Sequence, residues 1–256
     1  MNFISTIEGI MTSQLTTWNP DEQSLADITE YAQKNSYDTI PVKRNGQIDG
    51  LLYVVAGEIK PITHDLLLSR DTPIPDALAL LSASHHPAFL VLYRQEIEGI
   101  LTPSDFNKVL ARSYFYNLLA QLEMLLAQHA RVFYSNTDDL VGIVKPDNKT
   151  VPQHRKTIRE RHSSAERKNY NLDLVHSLML EELECLVQKD EGFRKKLGFT
   201  DLMHAEQMFD GINSGFRRKV MHPVRPLLSD QIGIEQLNQY VHQVVDLITL
   251  LEPGTN

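Results

Sequence analysis

The chain has 256 residues, 42% of them hydrophobic, and a formal net charge of −8. That length exceeds one small core and suits two modest domains. The negative charge argues against a general nucleic-acid coat, because phosphate backbones favour basic partners, but it leaves room for a local basic site. One cysteine, Cys185, excludes an internal disulfide framework and any cysteine-only metal site. It fits a reducing, cytoplasmic setting. The opening stretch MNFISTIEGIMTSQ lacks the basic start and apolar core of a secretory signal. No apolar run approaches the roughly 20 residues that span a bilayer, so a soluble protein with no membrane partner is expected.

Residues 1–112 contain an internal repeat, seen on shifting the sequence by 49 positions without a gap. Asp27 then falls on Asp76, Ile28 on Ala77 and Tyr31 on Leu80, inside two helix-like stretches. Ile40-Pro41-Val42 falls on Phe89-Leu90-Val91, two short apolar runs that read as buried strands. Ile48-Asp49-Gly50-Leu51-Leu52 falls on Ile97-Glu98-Gly99-Ile100-Leu101. Arg44-Asn45-Gly46-Gln47 and Arg94-Gln95-Glu96 are the intervening turns, and Asn45-Gly46 is a strong hairpin signal because both residues tolerate positive φ. Each copy reads as helix, strand, turn, strand and a further helix.

The end of the second copy carries chemistry. In Gly99-Ile100-Leu101-Thr102-Pro103-Ser104-Asp105 a strand ends at Thr102, and Pro103 suits the first turn of a helix. A helix start offers unpaired N–H groups to a phosphate, and the Asp105 carboxylate can accept both hydroxyls of a ribose. A plainer reading stays open, in which Thr102 and Asp105 only cap the helix. The pattern resembles tandem cystathionine-β-synthase (CBS) motifs, an α+β pair built from βαββα repeats, over 1–112. The resemblance implies an adenine nucleotide (AMP, ATP, S-adenosylmethionine or a cyclic dinucleotide) as regulatory ligand. No cofactor is required. Thr102 and Asp105 would hold phosphate and ribose, beside Gly99 and Pro103, with Ile40 and Pro41, or Pro87 through Phe89, against the adenine. The first copy departs from the pattern, with Tyr53 and Ala56 standing where Thr102 and Asp105 stand. One well-formed site per chain is therefore expected.

From Phe106 the texture is helical. Asn107–Arg131 reads as one long helix, Leu172–Gln188 as a second, Asp201–Val220 as a third and Glu235–Leu251 as a fourth. Between the first two, 151–170 is polar and basic. Arg155, Lys156, Arg159, Arg161, Arg167 and Lys168 there form a candidate lane for an RNA backbone, against the duller reading of a solvated helix.

Asn213-Ser-Gly-Phe-Arg217-Arg218-Lys-Val-Met-His222-Pro223 sets guanidiniums four and five residues before an imidazole at a helix end. Arginine grips phosphate with two bonds, and histidine is the side chain that switches charge near neutral pH. Pro223 disfavours α conformation at His222, so the helix should loosen there. An all-α segment over 113–256 with Arg-x4-His resembles the HEPN superfamily. The resemblance implies a homodimer whose Arg217 and His222, with Arg218 and Asn213 alongside, form a metal-independent endoribonuclease for single-stranded RNA. Arg218 departs from the small polar residue usual at its position. Three readings stay open: a nucleotide-regulated ribonuclease, a non-catalytic regulator whose helical half binds protein or RNA, and a subunit of a larger complex with a vestigial sensor. A plainer account of the segment also stays open, in which the basic cluster meets the helix dipole and His222 caps carbonyls. No metal-ligand spacing occurs, and DNA is not an expected partner.

Overall fold

In the computed structural model the described residues are 5–135, 140, 143–144, 151–166, 173–229 and 232–252, the side chains of 151–155 and 164–166 excepted. The chain forms two compact units. The first holds residues 1–114 and 223–238; the second holds 115–222 and 239–256.

In the first unit, α1 (Leu25–Lys34) leads to β1 (Thr39–Arg44), β2 (Gln47–Tyr53) and β3 (Glu58–Pro61). Then come β4 (Leu67–Ser69), α2 (Ile74–Ala83), β5 (Phe89–Tyr93) and β6 (Glu96–Leu101). A 3-10 turn, Pro103–Asn107, then precedes α3 (Val109–Phe133). There are two three-stranded sheets, ordered β1-β2-β3 and β4-β5-β6. The first is antiparallel throughout; β4 runs parallel to β5 and β5 antiparallel to β6.

The 49-residue offset recurs in three dimensions. It carries both bounds of α1 onto those of α2. It carries the bulge between Val42 and Lys43 onto the bulge between Val91 and Leu92. It also carries Asn45, at φ 50°, onto Arg94, at φ 57°. The copies diverge beyond their second strand. A further helix is found only after β6; after β2 the chain turns at Gly57 (φ 66°) and adds β3. Glu58-Ile-Lys-Pro61 is exposed at every position, so no apolar alternation announced a strand there.

In the second unit α3 presents Phe115, Leu119, Leu122, Leu126 and Ala130 to the core at helical spacing. The unit continues with α4 (Val151–Glu166), a 3-10 turn (Leu174–Ser177), α5 (Leu180–Lys189), α6 (Glu191–Lys196) and α7 (Leu202–Phe209). A π-helical turn (Ile212–Arg217) and a last α-turn, α8 (Arg218–Val220), come next, and α9 (Ile234–Leu251) closes the chain. Phe216 lies edge-on to Phe115, with centroids 5.7 Å apart, and stacks on Tyr240 at 5.8 Å.

Two expected helices are shorter than their periodicity indicated. Over the described part of Leu172–Gln188, the chain breaks before α5, where Glu182 accepts the Met179 N–H at 2.8 Å and caps the new helix. Asp201–Val220 breaks at Gly211, which takes φ 72°. A Cβ there would lie 2.6 Å from the Tyr240 ring, so only glycine lets Tyr240 close over the turn.

Candidate functional site

The N-terminal segment ties the two sheets together. Thr12 exchanges backbone hydrogen bonds with Ile100 of β6 at 2.9 and 3.0 Å, and Trp18 bonds to Pro41 and Lys43 of β1 at 3.0 and 2.8 Å. Between these anchors lies a cleft of about 470 Å³. Thr12, Thr16, Thr39, Ser36, Thr102 and Ser104 bring hydroxyls to it, Asp38 a carboxylate, and Leu15, Pro41, Pro87, Ile100 and Leu228 apolar surface. Its size is that of a small-ligand site.

Of the sequence-predicted residues, Thr102, Pro103 and Pro41 line this cleft. Ile40 is 1% exposed and packs with Trp18, Ile28, Val42 and Leu52 in the core. Gly99 sits in β6, opposite Val91. Its missing side chain makes room for the N-terminal segment, since a Cβ would meet Met11 Sδ at 2.8 Å and the Thr12 carbonyl at 3.1 Å. Asp105 is 2% exposed and does not line the cleft. One carboxylate oxygen accepts from the Thr102 N–H (2.6 Å) and hydroxyl (2.9 Å). The other accepts from the Thr12 hydroxyl (3.0 Å) and pairs with Lys108 (2.7 Å). Lys108 in turn donates to the carbonyls of Ile10 and Met11. Asp105 is thus the clasp that fixes Thr102 and Thr12 as cleft walls. Asp38, on the exposed turn before β1, is the acidic residue among those lining the cleft. Sequence reasoning missed Asp38, and likewise Thr12, Thr16, Asn107 and Leu228. The repeat offset holds the signal for Asp38, since it sits opposite Pro87 in the other copy.

At the counterpart positions of the first copy the chemistry is different. The Tyr53 hydroxyl meets His86 Nδ1 at 2.8 Å, and His86 Nε2 meets Asp65 at 2.9 Å. Hydrogen bonds from Thr63, then His86, hold the Asp65 carboxyl down at about 2. Burial, then the nearby Asp65 charge, pushes the Tyr53 phenol up.

In the second unit Arg217 ends the π-helical turn, Arg218 is exposed in the following α-turn, and His222 is exposed just past the helix end at Val220. Among the described residues neither guanidinium makes an ion pair. Asn213 is turned inward, its amide donating to Glu184, a carboxyl pushed up by burial and held against that by this bond. Of the basic lane, Lys156 lies 3.8 Å from Glu160 in an exposed pair. Arg161 is bound to the buried Glu182 at 2.5 Å, so its guanidinium has a structural partner. Arg159 also has an interaction partner. The Arg155 side chain, Arg167 and Lys168 lie outside the described residues. Among the described residues no group of three or more His, Cys, Asp or Glu is placed to hold a metal ion, and no helix is long and apolar enough to cross a membrane.

With this geometry in view, comparison with known families identifies one segment. Residues 56–112 are a CBS domain. The match takes in Pro87, Ile100, Thr102, Pro103, Ser104 and Asn107 of the cleft. No curated protein matches the chain. Among solved structures it is similar to an uncharacterized conserved protein from Pyrococcus horikoshii, at 20% identity and TM-score 0.34, over 41% of this chain and 92% of that one. It is also similar to a conserved CBS domain protein of unknown function from Thermoplasma acidophilum, at 23% identity and TM-score 0.35, over 43% and 71%. A third similar structure is CBSX2 in complex with AMP, at 18% identity and TM-score 0.36, over 44% and 97%.

Proposed function

We propose that the protein is an adenine-nucleotide-responsive regulator whose first unit, read as a tandem CBS pair, takes the nucleotide in the cleft beside Thr102. The observation that carries this reading is the cleft itself, six of whose lining residues come from the CBS-matched stretch 56–112. Apolar planes at Pro41, Pro87 and Ile100 suit a base, while hydroxyls and one carboxylate suit ribose and phosphate. Since Asp105 is engaged in the Thr12–Thr102–Lys108 clasp, Asp38 is the group assigned to the ribose hydroxyls. The Thr102 hydroxyl gives its one proton to Asp105, so the phosphate is assigned to Ser104, whose hydroxyl can turn from Thr102 to the ligand. The test is calorimetry on the full chain with AMP, ATP, S-adenosylmethionine and a cyclic dinucleotide. At least one should bind in the micromolar range, and Ser104→Ala and Asp38→Asn should each weaken it at least about tenfold, a difference of about 1.4 kcal/mol. Unchanged affinity in both variants sinks the assignment.

The helical unit is read as the output. Arg217 ends a π-helical turn, a rare element that recurs at functional sites, and Arg218 and His222 are exposed beside it. In a HEPN-like homodimer these groups would cut single-stranded RNA without metal. The 2′-OH attacks its own phosphate, His222 moves the proton, and Arg217 offsets charge on the transition state. The products are a 2′,3′-cyclic phosphate and a 5′-OH. The inward-turned Asn213, held by Glu184, favours the second reading, in which the unit binds RNA or protein without cutting. Labelled RNA in EDTA separates the two. Cleavage lost in His222→Ala supports the first; binding without cleavage supports the second. Light scattering of the intact protein reads the dimer.

A further inference from the structure

Residues 223–238 belong to the first unit although they come after the whole second unit up to His222 in sequence. They are held by a specific clasp. The Asn107 side-chain oxygen accepts the N–H of Leu227 at 2.6 Å and of Leu228 at 2.9 Å. Arg112, almost buried, donates to the Asn107 carbonyl at 3.1 Å and to the Arg225 carbonyl. Leu227 is 0% exposed, an apolar anchor, whereas Leu228 next to it lines the cleft. Ser229 and Ile232 exchange backbone hydrogen bonds at 3.1 and 3.0 Å just beyond. Asn107 lines the same cleft. One amide side chain therefore touches both the ligand space and the backbone of this strap.

We infer that the Pro223–Ser229 segment is a ligand-read strap: Leu228 is a contact residue for the nucleotide, and occupancy of the cleft tightens the Asn107 clasp on the segment that starts one residue after His222. This inference rests on the nucleotide reading of the cleft. An occupant that packs on Leu228 removes its side chain from water and excludes water from the Asn107 bonds. Both effects favour the closed strap. A ligand shifts an equilibrium only by its differential affinity for the two states, and Leu228 and Asn107 supply that difference here. Because the Pro223 backbone continues directly from His222, a strap held closed restrains the end of the Arg-His segment, and an open strap releases it.

The experiment uses the full chain and AMP. Hydrogen exchange over 223–229 is followed with and without saturating AMP, and calorimetry compares wild type with Leu228→Ala and Asn107→Ala. AMP should slow exchange at the Leu227 and Leu228 amides about tenfold or more in wild type, and Leu228→Ala should weaken AMP about five- to tenfold. Asn107→Ala should leave those amides fast whether or not AMP is present. Leu228→Ala keeps every backbone bond and remains informative if Asn107→Ala fails to fold. AMP binding that leaves 223–229 exchange unchanged, with Leu228→Ala at wild-type affinity, overturns the strap and leaves the nucleotide reading standing. No binding of AMP, ATP, S-adenosylmethionine or a cyclic dinucleotide overturns both.

Discussion

The β1–β2 and β5–β6 hairpins share a bulge, a positive-φ turn residue and a glycine at the same place, yet the chain leaves them differently. After β6, Thr102-Pro103-Ser104-Asp105 starts a helical turn, and the Asp105 carboxylate folds back on Thr102. After β2, Tyr53 and Ala56 cannot form that cap, and Gly57 sends the chain into β3. The glycines Gly50 and Gly99 serve both exits by admitting a third chain segment against the hairpin: β3 at Gly50, the N-terminal segment at Gly99. The comparison teaches that the hairpin frame is permissive and that a four-residue exit decides which side chains stand beside it. The Thr102 exit leaves a cleft with hydroxyl walls; the Tyr53 exit carries the Tyr53–His86–Asp65 chain.

The largest expected effect comes from breaking the Thr102 exit. Asp105→Ala leaves Lys108, the Thr102 N–H and the Thr12 hydroxyl without their buried acceptor, and should cost about 2–4 kcal/mol in urea unfolding. An unchanged midpoint would mean the clasp is not what holds the cleft wall. Next, Gly99→Ala must displace the Thr12 carbonyl, which cannot swing aside as a side chain can, for a loss of about 1–3 kcal/mol. Gly50→Ala, facing Ile59 Cγ2 at 3.0 Å and the Lys60 carbonyl at 3.1 Å, tests the same device on the other exit. In that exit, Tyr53→Phe removes one partly buried hydrogen bond, about 0.5–1.5 kcal/mol, and should leave nucleotide affinity untouched.

The smallest effect is an acid dependence confined to the Tyr53 exit. The Asp65 carboxyl is lowered from 3.8 to about 2 in the folded protein. Its contribution is therefore present above pH 3.8 and is lost as the pH falls from there through about 2. The Tm difference between wild type and Asp65→Asn should be steady near pH 6 and close as the pH drops through that window. A gap of undiminished size at pH 2 would show that the carboxylate charge is not its source.

Much of the frame was legible in the chain. The repeat was visible because buried strand triplets and hairpin turns must recur together, and α3 and α9 were visible because their apolar residues keep helical spacing over many turns. The Gly211 break was not, because Ile212 and Phe216 continue the apolar spacing of α7 while the backbone reverses to admit Tyr240. Within the cleft, Thr102 stood out by its local pattern. Asp105 satisfied the same pattern but turned inward, since Thr12 and Lys108 compete for its oxygens. Leu228 carried no local signal: its bond to Asn107 spans 121 residues, and no periodicity reports a contact of that range.

The discontinuity of the first unit has a consequence for how the protein is made. Residues 1–114 leave the ribosome together, but the strap that completes their cleft lies beyond residue 222. At the usual ~5–20 residues per second, that leaves a wait of roughly 5–20 s during synthesis. Throughout it, the Asn107 side chain lacks the Leu227 and Leu228 N–H groups, and Arg112 the Arg225 carbonyl, that they later hold. A newborn chain should accordingly lack the Leu228 side of its cleft until residues 115–222 of the second unit have also been translated.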